Sequence, residues 1–186
     1  WLKEQGHTPL LVAADLQRPN AVQQLSVVAG QAGVDLVVDV RRFPGSRSNE
    51  AASRGAVPDL LEERGIGYRW DGRLGGRRNL TAAADAASPD TWWRVKAFRA
   101  YAGWTRSEDF RAGLADLLAD EATGRTVAIM CSEAVWWRCH RRIVSDVVLG
   151  EHGVEVGHLM HDGRVTTHEL SEGARAGDDG RLVWDT

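Results

Sequence analysis

Leu36-Val37-Val38-Asp39-Val40-Arg41-Arg42 is the stretch on which the reading of the fold turns. It is a continuous apolar run broken by one acid near its end, with two arginines directly behind it. A strand with one wet face alternates apolar and polar residues, whereas a strand covered on both faces stays apolar throughout, so this run predicts a buried strand of a parallel sheet.

Upstream, Leu10 to Ala14 predicts another short buried strand, and Leu25, Val28, Ala29 and Ala32 fall at helical spacing before Gly33. Downstream, Phe43-Pro44-Gly45-Ser46-Arg47-Ser48-Asn49 has the composition of a loop. Pro58 opens a short helix closed by Gly65, and Tyr68 to Trp70 reads as a third strand. Residues 71–90 read as a loop in which Leu74-Gly75-Gly76-Arg77-Arg78 joins backbone freedom to two cations. Helices are expected over Thr91 to Tyr101 and Glu108 to Leu118, the second capped by Ser107.

Thr126 to Met130 is a further apolar strand that runs into Cys131-Ser132-Glu133. A helix starting near Cys139 has Ile143, Val144, Val147 and Val148 as its apolar face, and Val154 to Leu159 reads as the last core strand. Residues 160–186 are polar and acidic and are expected to form a less regular extension. Strands separated by helices predict one α/β domain over residues 1–186. The expected architecture is a mostly parallel sheet flanked by helices on both faces, a Rossmann-like three-layer arrangement.

Composition excludes several classes. With 43% hydrophobic and 26% charged residues in a chain of 186, a folded globule is expected, and wholesale disorder or a fibrous repeat is not. No apolar run reaches the roughly 18 residues of a membrane span. No secretory signal is read at Trp1, and two cysteines eight positions apart do not make a disulfide framework, so a cytoplasmic location is expected. The charge is segregated: residues 41–78 hold nine Arg against five acids, and residues 151–186 hold three against eight.

In an open parallel sheet the ligand crevice lies beyond the carboxyl ends of the strands. That rule gathers Asp39-Val40-Arg41-Arg42 with Cys131-Ser132-Glu133 and Cys139-His140-Arg141-Arg142. A helix starting near His140 offers unpaired N–H groups and a positive dipole end, and its arginines add cations, so an anion is the expected guest. The same field would lower the pKa of a nearby cysteine. Asp39 reads either as a catalytic carboxylate or as a buried acceptor of loop N–H groups.

The spacing of Cys131, Cys139 and His140 matches no usual zinc pattern, and adjacent Cys139 and His140 are awkward for chelation, so neither metal nor cofactor is expected. Neither a Cys-x-x-Cys pair nor the Cys-x5-Arg loop of cysteine phosphatases is present. His152, His158, His161 and His168 read as surface residues, and of the tryptophans the pair Trp136-Trp137 reads as the better candidate for stacking on a base.

The ordered set Asp39-Val40-Arg41-Arg42-Phe43-Pro44-x-Ser46, Leu74-Gly75-Gly76, Phe98-x-x-Tyr101, Met130-Cys131-x-Glu133-x5-Cys139-His140-Arg141-Arg142 and His168-Glu169-Leu170 resembles the signature of the bacterial and archaeal family called domain of unknown function 488. The resemblance spans about residues 36–170 and implies a single cytoplasmic α/β domain of unestablished activity. It also implies a Gly-His-Ser step at the end of the first strand, where this chain has Val12-Ala13-Ala14-Asp15, and an aromatic residue after Asn49, where it has Glu50.

The leading expectation is an enzyme acting on a phosphate-bearing ligand, a nucleotide or a nucleic-acid component. Asp39, Cys131, Glu133 and His140 are its catalytic candidates. Arg41, Arg42, Ser46, Gly75, Gly76, Tyr101, Trp137, Cys139 and Arg141 are its ligand-binding candidates, Ser46 and Tyr101 on the resemblance alone. The rivals are a non-catalytic nucleic-acid-binding module and a thiol redox or metal protein built on the two cysteines.

Overall fold

The structure is a computed structural model that describes residues 10–14, 21–44, 56–133 and 135–185. Its sheet has six strands in the order β3-β2-β4-β1-β5-β6. The strands β1 (Leu10–Ala14), β2 (Leu36–Asp39), β3 (Gly67–Trp70), β4 (Val127–Cys131) and β5 (Val156–Leu159) pair in parallel, and β6 (Val165–Thr167) adds an antiparallel edge to β5. The helices are α1 (Ala21–Gln31), α2 (Ala56–Glu62), α3 (Ala82–Ala86), α4 (Lys96–Trp104), α5 (Glu108–Ala122) and α6 (Arg141–His152). A hairpin of β7 (Ala174–Ala176) and β8 (Leu182–Trp184) ends the described chain.

The apolar runs are strands for the reason their sequence suggests: successive side chains enter two different apolar clusters. Leu36, Val38, Val127, Ile129 and Cys131 pack with Phe110, Leu114 and Leu117 of α5 and Ile143, Val144, Val147 and Val148 of α6. Val37, Ala128 and Met130 pack instead with Leu25, Val28 and Ala29 of α1 and Val57 and Leu61 of α2. Burying both faces of β2 and β4 removes the water that would otherwise compete for their ladder hydrogen bonds.

Three boundaries differ from the sequence reading. Residues 71–90 contain a 3-10 turn at Gly72–Leu74 and the short helix α3, capped by Thr81, whose hydroxyl accepts from the Ala84 N–H. α3 has no buried residue, so no apolar periodicity announces it. α4 begins at Lys96, because Val95 is extended and Trp93 before it is buried in the core. Residues 160–186, read as less regular, contain β6, β7 and β8, and Trp184 is wholly buried. Among the described residues no helix is long and apolar enough to cross a membrane.

Candidate functional site

Adjacent pairing of β2 and β4 places Asp39 opposite Met130, with the Val40 N–H donating to the Met130 carbonyl at 3.0 Å. The segments around Asp39 and Cys131 therefore share one carboxyl edge of the sheet. The residues there divide into a buried ion pair, an open cleft, a thiol–imidazole cluster and a histidine relay.

Asp39 is fully buried and its carboxylate is already occupied. It accepts from Arg41 backbone N at 3.0 Å, Arg41 Nε at 2.9 Å, Arg41 Nη2 at 2.6 Å and Tyr68 OH at 2.8 Å. Burial opposes the Arg41 charge, but the hydrogen bonds and charge of Asp39 outweigh it and raise the Arg41 pKa. Burial beside Asp39 likewise raises Tyr68 well above the ordinary phenol value. The carboxylate is thus engaged by the backbone and side chain of Arg41 and by Tyr68, and Arg41 is buried with it.

Arg42 turns outward. It lines a cleft of about 440 Å³ with Phe43, Trp70, Arg73, Arg78 and Trp104 and with the acids Asp71 and Asp109, at the exits of β2 and β3. Its Nη1 donates to the Arg77 carbonyl at 2.8 Å, while Arg78 donates to the Gly75 carbonyl at 3.0 Å and lies 3.6 Å over the Trp104 ring. Arg73 is paired with Asp71 and Asp116, whereas Arg42 and Arg78 form no salt bridge among the described residues. Burial first, and then the like charge of Arg42, lower the Arg78 pKa, and the Asp109 carboxylate at the same cleft only partly offsets them.

Gly75 and Gly76 form the wall behind the cleft. A Cβ on Gly75 would stand 2.7 Å from the Arg42 backbone nitrogen, and one on Gly76 would stand 2.7 Å from His140 Nδ1. The loop thus touches the cleft on one side and the cysteine cluster on the other. Only residues without a side chain permit that approach.

Behind this wall lie Cys131 at the end of β4 and Cys139-His140 at the entry to α6. His140 Nδ1 is 3.5 Å from Cys139 Sγ and 4.0 Å from Cys131 Sγ, and all three ligand atoms lie within 4.8 Å of one another. Adjacent residues achieve this because Cys139 is extended (φ −122°, ψ 153°) while His140 is helical (φ −57°, ψ −19°), which swings both side chains to one side. The expectation that they are badly placed to act together is therefore corrected by the bend between them.

Both thiols are buried, and their environments divide them. The hydrogen bond to Cys139 and burial push Cys131 up to about 12. Burial would also raise Cys139, but the Cys131 S–H, the Arg141 charge and Arg141 N–H groups bring it down to about 6. Arg141 is wholly buried, its Nε donating to Cys139 Sγ at 3.3 Å and its Nη2 to the Glu133 carbonyl at 2.7 Å. Tyr101 is buried too; it donates to the Leu74 carbonyl and meets the His140 ring edge-on at 4.9 Å.

Arg141 is thus a support for the cluster, Glu133 contributes its carbonyl while standing at the surface, and Trp137 is exposed, edge-on to Trp136. Ser46 lies outside the described residues.

The sequence reading missed a relay. His158 and His168, read as surface residues, are buried. His168 sits 3.0 Å from Asp146 Oδ1 and 2.9 Å from His158 Nε2, and the His158 ring stacks on Trp136 at 3.5 Å. Asp146 also accepts from the Ser171 N–H at 2.9 Å and Trp184 Nε1 at 2.9 Å. His168 thus bridges Asp146 and His158 through its two ring nitrogens. The signal was an acid inside the apolar run Ile143-Val144-Ser145-Asp146-Val147-Val148, where a carboxylate needs buried donors.

Fold and site together define an α/β protein whose parallel sheet ends in a buried cysteine–histidine cluster beside an arginine-lined cleft. Within that class the chain belongs to the family described as Domain of unknown function DUF488, whose profile matches residues 21–148. Over 33 residues it is 73% identical to the signal recognition particle proteins of Mycobacterium leprae and Mycobacterium tuberculosis, a stretch that covers 18% of this chain and 6% of each relative. The crystal structure of a DUF442 protein from Shewanella putrefaciens CN-32 is similar at a TM-score of 0.38 and 16% identity, over 82% of this chain and 75% of that one. On the first β-strand, Ala14 pairs with Cys131, so the departure from the family's Gly-His-Ser step falls beside the thiol cluster, while Asp15 and Asn49-Glu50 lie outside the described residues.

Proposed function

We propose that this chain is an enzyme acting on a phosphate-bearing ligand, a nucleotide or nucleic-acid component, bound at the carboxyl edge of the sheet. The observation that carries this reading is the pair Arg42 and Arg78, two guanidinium groups that hydrogen-bond backbone carbonyls and form no salt bridge among the described residues, in an aromatic-walled cleft that Asp71 and Asp109 also line. Phosphate matches the fork geometry of guanidinium and relieves the repulsion between the two, and Trp70, partly exposed at the cleft, offers a ring on which a base can stack. The binding role therefore moves from Arg41 and Arg141, which face inward, to Arg42 and Arg78. The catalytic role rests on proximity: the Gly75-Gly76 wall is common to the cleft and to Cys131, Cys139 and His140. The division of strand residues between two apolar clusters supports the finer reading of the fold as one Rossmann-like three-layer domain.

The test is a thermal shift against adenosine monophosphate, adenosine diphosphate, ribose phosphate and a single-stranded oligonucleotide, repeated on Arg42→Ala. Stabilisation by a mononucleotide that the variant loses supports the reading. Stabilisation by the oligonucleotide alone moves the chain to the nucleic-acid-binding class. A wild type that responds to nothing, or a variant that responds equally, removes the cleft as an anion site.

A further inference from the structure

We propose that Cys131, Cys139 and His140 form a binding site for one thiophilic divalent cation of the zinc type. A tetrahedral ion with sulfur at about 2.3 Å and imidazole nitrogen at about 2.0–2.1 Å needs sulfur and nitrogen roughly 3.6 Å apart. The distances here are 3.5 Å from Cys139 Sγ to His140 Nδ1 and 4.0 Å from Cys131 Sγ, with every pair inside 4.8 Å. A shift of a few tenths of an ångström brings both sulfur–nitrogen pairs to that spacing.

The surroundings fit this use. Two thiolates neutralise a divalent ion, so the filled site carries no net charge, which suits a buried position beside the Arg141 guanidinium. Arg141 Nε, donating to Cys139 Sγ at 3.3 Å, is the outer contact that holds a ligating sulfur in place. The Tyr101 ring, edge-on to His140, and the Gly75-Gly76 wall fix the imidazole so that Nδ1 faces the sulfurs. His140 Nε2 is buried without a hydrogen-bond partner among the described residues, so the polar contacts of the ring are those of Nδ1 with the sulfurs. Among the described residues no fourth His, Cys or carboxylate joins the group. Binding replaces the thiol protons, which leave to solvent. The inference does not depend on the ligand proposed for the cleft.

The test is cobalt(II) titration of the reduced full chain after chelator treatment, with elemental analysis of zinc uptake. The expected result is about one equivalent bound, with thiolate-to-cobalt charge-transfer absorption and the visible bands of a tetrahedral ion. His140→Ala should weaken uptake by at least about tenfold, and Cys139→Ser should weaken the charge-transfer band, which removal of both cysteines should abolish, in chains that circular dichroism finds folded. Zinc should also protect both cysteines of the wild type from alkylation, read by mass spectrometry, which needs no variant to fold. A folded, reduced wild type that takes up neither ion overturns the proposal, as does a charge-transfer band of undiminished intensity in Cys139→Ser or uptake unchanged in His140→Ala. Arg42→Ala should bind the ion normally, so failure of the cleft and failure of this site are told apart.

Discussion

At the scale of single residues, the meaning of a side chain is set by the groups that reach it first. Asp39 sits at a strand exit, where a catalytic acid would be placed, yet Arg41, two positions on, folds back and takes both of its oxygens. Tyr68 on the neighbouring strand takes the remaining direction. Breaking such a pair strands a buried guanidinium, so Asp39→Asn should destabilise the fold by about 3–5 kcal/mol. Denaturant unfolding measures this, and an unchanged midpoint would contradict the structural role. Sequence left the two roles of Asp39 open because residue type and position are alike in both. The difference lies in the turn at Arg41, which local composition does not encode. Arg42 is the converse: one step along the same chain it points the other way, because alternate residues leaving a strand face opposite sides.

At the scale of elements, α6 does more than cover the sheet. Its entry supplies Cys139, His140 and Arg141, and its middle supplies Asp146, from which His168 and then His158 on β5 are hung. Burial first, and then the charges of His168 and Arg141, push His158 down to about 3 from the ordinary 6.5. The folded chain therefore binds fewer protons at this site than the unfolded chain at mildly acidic pH. The stability this neutral ring contributes is fully present above about pH 6.5 and is lost progressively as pH falls toward about 3. Denaturation midpoints should accordingly drop between about pH 7 and about pH 5, with a smaller slope in His158→Gln. A wild-type slope that is flat, or one that rises on acidification, would contradict the relay. The helix itself was legible from Ile143, Val144, Val147 and Val148, but its buried acid gave no indication of which partner it would meet.

At the scale of the whole molecule, the C-terminal segment is part of the core. Trp184 packs against Trp93 and donates to Asp146 in α6, linking the last described strand to the relay behind the site. Trp184→Ala should cost roughly 3–5 kcal/mol, the range for an emptied aromatic site; if instead the loss matches that of a surface residue, the segment is an appendage. Its polarity concealed this, since three short strands need few apolar residues when one tryptophan carries the burial. By itself the sequence determined the central strands and the helix faces, because periodicity and apolar runs are local properties of the chain. Tertiary structure alone decided which arginines face outward, that Cys131 meets Cys139 and His140, and that His158 and His168 are interior. Those outcomes depend on strand order and on contacts between residues far apart in the chain, and no local pattern records them.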